Sequence, residues 1–149
     1  MLFRSHGAQV DLVDRTGKSA LVYAAGSGNV EILALILDRN VDVDKRFQND
    51  LTALMWAAGY GRVDAVEALL ASEARVDSRD NRGMTALMMA SAQGHLAAVR
   101  KLLESGADKS LKDRSGKTAR DHAAAGGHAE VVNVLVRPEP RRPATSDKP

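Results

Sequence analysis

The sequence predicts an all-α fold in which helix-turn-helix units of constant length stack into a solenoid. Three observations carry that expectation. Shifting the 149-residue chain by 33 positions against itself aligns four segments without a gap, 19–25, 52–58, 85–91 and 118–124. A fixed period in this range marks stacked supersecondary units. Later in each unit, apolar residues recur at i, i+3 and i+4: Leu33/Ile36/Leu37, Val66/Leu69/Leu70, Val99/Leu102/Leu103 and Val132/Leu135/Val136. That spacing is one buried face of a short helix. Finally, hydrophobic residues make up 44% of the chain but aromatics only 3%, so the core is built from Ala, Leu, Val and Ile. Such a core suits closely packed helices better than a β-sandwich.

In chain order, residues 1–13 read as the end of a partial unit; Met1 falls inside what corresponds to a second helix, which leaves open a missing upstream segment. Complete units follow at 14–46, 47–79 and 80–112, and a fourth at 113–137. Ser19, Thr52, Thr85 and Thr118 stand where a hydroxyl can cap the first helix of each unit. Ala24, Ala57, Ala90 and Ala123 keep the stacked faces small, and Gly28, Gly61, Gly94 and Gly127 fall in step between the two helices. The stretch 26–29 superficially resembles a phosphate loop, but its phase puts it between two helices, with Asn29 as a cap. No single helix pair could bury its apolar side alone, so stability is expected to add up along the stack. Truncating Leu69 or Leu102 to Ala is expected to cost about 2–5 kcal/mol. Arg120 replaces the Leu of the preceding units (Leu21, Leu54, Leu87), as fits a last unit whose outer side meets water. Residues 138–149, rich in Pro with mixed charge, read as a disordered tail.

These segments resemble the ankyrin repeat, whose signature runs Gly-x-Thr-Pro-Leu-His-x-Ala-Ala, then Gly-His, Leu-Leu and Gly-Ala-Asp. The resemblance covers nearly all of residues 1–137. It implies hairpin turns between the units and a non-catalytic protein–protein interaction module, which docks its partner on hairpin tips and a concave helix face. Two columns depart from the pattern. Ala20, Ala53, Ala86 and Ala119 stand where Pro is usual, and Val22, Met55, Met88 and Asp121 where His is usual, which implies a somewhat softer stack.

Chemistry finds little support in the residues. The chain has no Cys, hence no thiolate nucleophile and no Cys-based metal site. His95 and His128 occupy the Gly-His step, and no pair has ligand spacing, so no metal site is expected. Asp121 and His122 are neighbours on one helix and point in different directions, so they make no hydrolase pair, and no nucleophile elbow is present. No catalytic residue, cofactor or small-molecule substrate is expected.

Net charge is +2 and the pI near 9.1. Arg15, Lys18, Arg46, Arg79, Arg82, Lys112, Arg114 and Lys117 line the predicted turns, but Asp11, Asp14, Asp44, Asp50, Asp77, Asp80 and Asp113 share that edge. A solvated mixed face is favoured over a nucleic-acid or anionic-lipid site. The start has no apolar signal region, and no stretch is long enough to span a membrane. A monomer in the cytoplasm with a protein partner is the expectation; a structural spacer or a fragment of a larger ankyrin-containing protein is the alternative.

The unit 47–79 is the irregular one. It holds Phe47, Trp56 and Tyr60, and Phe47 stands where the other units have Asp14, Asp80 and Asp113. Leu51 takes the hairpin position of Lys18 and Lys117, with Met84 next to it in the same column. Trp56 belongs to the variable column Tyr23, Trp56, Met89, His122, which the resemblance places on the partner-facing groove. Tyr23, Phe47, Leu51, Trp56, Tyr60, Met84 and Met89 are therefore candidate anchors, with Arg82 at the rim, since aromatics, Met and Arg dominate interface centres. Two readings stay open: an exposed patch, or a drifted unit in which Trp56 and Met89 pack inward and Glu73 replaces a helix-end Gly.

Overall fold

A computed structural model describes residues 12–138. The partial unit expected over 1–13 and the tail expected over 138–149 fall outside these residues, apart from Leu12, Val13 and Pro138. Eight helices are present among the described residues: α1 Ala20–Ser27, α2 Val30–Leu37, α3 Ala53–Gly59, α4 Val63–Ala71, α5 Ala86–Ala92, α6 Leu96–Glu104, α7 Ala119–Ala125 and α8 Ala129–Val136. No strand occurs among those residues; a single antiparallel bridge joins Val13 and Ser19.

First helices begin at Ala20, Ala53, Ala86 and Ala119 because the hydroxyl before each accepts an orphan amide. Thr52 takes the N–H of Met55 at 3.3 Å, Thr85 that of Met88 at 3.3 Å, and Thr118 that of Asp121 at 3.3 Å. Ser19 does the same for Val22 at 3.5 Å. In α7 the Asp121 carboxylate returns the bond, accepting the Thr118 N–H at 2.8 Å and closing a capping box. At the other three positions of that column, Val22, Met55 and Met88 are buried apolar groups, of which Met55 also returns a bond, its Sδ accepting the Thr52 N–H at 3.5 Å.

Packing runs in two layers. Helices α1, α3, α5 and α7 stack in series, and α2, α4, α6 and α8 stack behind them. Ala57, Ala90 and Ala123, all fully buried, let the first helices approach closely, while Val66, Leu69, Val99 and Leu102 fill the space between the layers. The pattern relaxes at the last unit: Val131 is buried but Val132, expected on the core face, is only half-buried, because no further unit covers it among the described residues.

Polar clamps tie each unit to the one before. The side chain opening the second helix reaches back to a carbonyl near the end of the preceding first helix. Arg62 Nε donates to Gly26 O at 3.0 Å, while His95 Nε2 lies 3.1 Å from Gly59 O and His128 Nε2 3.0 Å from Ala92 O. Asn29, in the same column, caps α2 by accepting the Ile32 N–H at 3.0 Å. Asp44 and Asp77 each accept a backbone N–H of the next unit, from Arg75 at 2.9 Å and Asp108 at 3.0 Å. Hairpin tips are joined too, Asn81 N–H to Asn49 O and Arg114 N–H to Arg82 O, both at 3.0 Å.

The irregular unit shows in its backbone. Where the other hairpins carry Gly17, Gly83 or Gly116 at positive φ, this one has Asp50 at φ 62, preceded by Asn49 at φ 65. The result is a short 3-10 turn over Gln48–Asp50. At its far end Glu73 holds φ 67, a left-handed conformation that disfavours a side chain.

Candidate functional site

Between α3, α5 and the hairpins in front of them lies an open groove of about 730 Å³. Leu51, Trp56, Tyr60, Arg82, Met84 and Met89 all line it, so five of the residues expected as anchors meet in one place with the expected rim residue Arg82. The stacking geometry explains the meeting. Residues 33 apart stand side by side, so Leu51 adjoins Met84 and Trp56 adjoins Met89. Tyr60 is 54% exposed and stacks on Trp56 with ring centroids 5.8 Å apart. Trp56, Met84 and Met89 are each half-buried, which gives the groove an apolar floor with accessible sides.

Trp56 is held from the preceding unit as well. Lys18 Nζ sits 4.8 Å from the Trp56 ring centroid and 5.7 Å from that of Tyr23. The cation thus bridges two aromatics of adjacent units, where a ring face attracts a positive charge.

Two expected anchors are elsewhere. Phe47 is only 9% exposed, so its assignment as an exposed anchor is corrected. Its N–H still pairs with Leu51 O at 2.9 Å as in the other hairpins, but the ring turns inward, where burial outweighs exposure for an aromatic side chain. It borders a smaller recess of about 250 Å³ together with Lys18, Leu51 and Trp56. Tyr23 is 52% exposed and lies outside the groove; its hydroxyl donates to Asp14 Oδ2.

That last bond reveals a rule the columns obey. The side chain nine positions after each hairpin Asp can reach back to its carboxylate, as Tyr23 does to Asp14 and His122 does to Asp113 at 2.7 Å. Met89 has no donor, so Asp80 takes the Arg82 guanidinium instead, at 3.0 and 3.1 Å. In the irregular unit Phe47 replaces the Asp, and the Trp56 Nε1 proton is buried with no acceptor.

Three of the four hairpin carboxylates, Asp14, Asp80 and Asp113, are engaged by local donors. Asp113 accepts from Ser115 Oγ, from the Lys117 and Ser115 N–H groups and from His122. The Ser115 hydroxyl foremost holds its carboxyl far below the usual range. Asp14 is held low in the same way by the Thr16 and Tyr23 hydroxyls and the Lys18 N–H. Asp80 is buried. The cations point the other way: Arg82 keeps 65% of its side chain exposed, and Arg79, Lys112, Arg114 and Lys117 are exposed. On the mixed edge expected from the sequence, Asp80 is buried and Asp113 half-buried, Asp14 and Asp50 are exposed, and most of the bases are exposed.

Lys18, His95, Gln93 and His122 were not among the expected anchors, although His95, Gln93 and His122 also line the groove. Lys18 was discoverable in principle, since it precedes Leu51 by one period.

Against known families, the description "Ankyrin repeats (3 copies)" matches residues 1–80 and 72–144. The chain belongs to the ankyrin repeat family. Ankyrin repeats are in general protein–protein interaction modules, and the family is typically non-catalytic. No curated protein matches this ankyrin chain. Among its described residues, no helix is long and apolar enough to cross a membrane, and no three of His, Asp and Glu are grouped so as to hold a metal ion.

Proposed function

We propose that this ankyrin chain binds a protein partner in the groove formed by α3, α5 and the hairpin tips, through the concave helix face. Leu51, Trp56, Tyr60, Met84 and Met89 act as anchors and Arg82 as a rim contact. The observation that carries the reading is the convergence of these side chains on one open groove of about 730 Å³. Clustered aromatic and thioether groups beside an Arg are what binding hot spots are made of, whereas scattered exposed apolar residues are ordinary surface.

The test is affinity capture from an extract of the cells that make the protein, with wild type compared to a Tyr60→Ser/Met84→Ser double variant. Both side chains border the groove and neither is fully buried, so helical content and cooperative unfolding are retained. A partner held by wild type and lost by the variant supports the reading. An identical captured set from both sinks it.

A further inference from the structure

Resting on the groove as the binding site, we propose that its occupant is a peptide segment with an apolar centre and carboxylates on both sides. The hairpin column nearest the groove reads Lys18, Leu51, Met84, Lys117 through the four units. Two apolar groups stand in the middle and one cation stands at each end. Because units stack in register, this order in sequence is also an order in space.

The polar surroundings agree. No carboxylate lines the groove, whose charged and polar groups are Arg82, Gln93, His95 and His122 together with the Tyr60 hydroxyl. Residues 14–18, 46–51, 79–84 and 112–117, the hairpins, carry eight Lys and Arg against four Asp. Three of those Asp, residues 14, 80 and 113, are saturated by bonds within their own unit. Asp14 and Asp50 are exposed among these cations, but the hairpins keep a net positive charge at the groove mouth, and complementary charge selects and steers a partner.

A nucleic acid fits less well. The floor is apolar, and the Trp56 ring already has Tyr60 stacked against it and Lys18 over it. A base stacking on the indole would have to compete with these contacts.

The full chain, immobilised, is used to select from a display library of random peptides about 12 residues long, a length that spans a groove in extended form. The expected winners carry Leu, Met, Phe or Trp at the centre and Asp or Glu on both sides. Their binding falls about tenfold or more in Arg114→Glu/Lys117→Glu, as loss of complementary charge requires. That variant keeps its fold, since both residues are exposed and use only backbone N–H and C=O groups in the bonds that hold their hairpin.

Neutral or basic winners that are lost in Tyr60→Ser/Met84→Ser overturn the acidic occupant and leave the groove standing. Winners that bind this groove variant as well as wild type, or no winners at all, overturn both. Displacement of acidic winners by oligothymidylate at lower concentration than by free acidic peptide overturns the peptide in favour of nucleic acid.

Discussion

Lys18 Nζ lies 4.8 Å from the centre of the Trp56 ring, a contact made across two adjacent repeats. Trp56 is the one tryptophan of the chain, so its emission reports directly on this contact and on the groove it borders. Replacing Lys18 with Met keeps the apolar stem and removes the charge. The variant is expected to lose about 0.5–1 kcal/mol, the worth of a partly exposed cation–π pair, in urea unfolding followed by tryptophan fluorescence. An unchanged midpoint would mean that the contact contributes nothing.

Phe47 distinguishes a core role from a surface one. Phe47 is only 9% exposed, so Phe47→Ala is expected to destabilise the fold by about 3 kcal/mol. A loss of under about 0.5 kcal/mol, the usual cost at a surface position, would return Phe47 to the list of exposed anchors. Thermal unfolding by circular dichroism decides between the two.

Ser91 Oγ is fully buried without a hydrogen-bond partner, in a column where the other repeats have Ala25, Ala58 and Ala124. A buried hydroxyl left unpaired is penalised by its desolvation. Ser91→Ala is therefore expected to raise stability by about 1 kcal/mol. Destabilisation on this substitution would reveal a bond to Oγ that the structure lacks.

Acid should unfold the stack through its hairpins. Asp14 and Asp113 have carboxyl groups held below their ordinary value of 3.8 by donors that exist only in the fold. A lowered folded-state pKa means that the contribution is fully present above the unfolded value and is lost as pH falls below it. Melting temperature is expected to be flat from neutral pH to about pH 5 on account of these groups, then to fall progressively below about pH 4. Asp113→Asn should be less stable at neutral pH and show a shallower fall; an equally steep fall would remove Asp113 from the cause.

Much of this was legible in the residues. Ser19, Thr52, Thr85 and Thr118 announce where the first helices start, because an N-cap is a local interaction between neighbours three apart. The groove was legible where it depended on columns: Leu51 beside Met84, and Trp56 beside Met89. Phe47 was misread because an apolar residue at an Asp position looks exposed on paper. The hairpin can instead fold the ring inward by taking Asn49 and Asp50 through positive φ, a backbone choice with no simple sequence sign. The pairing of Asp14 and Asp113 was hidden for a related reason. Their partners Tyr23 and His122 lie nine residues on, and only the path of the chain brings them together.

The central claim is that the groove beside Trp56 is where another protein binds. A photo-crosslinking amino acid placed at Met89, on the groove, is compared with one at Glu67, exposed on α4 and absent from the groove lining. Irradiation in an extract of the producing cells is expected to give a discrete protein adduct from position 89, none from position 67, and none from position 89 once Tyr60→Ser/Met84→Ser is added. The same adduct from both positions, or adducts from position 67 alone, would contradict the account.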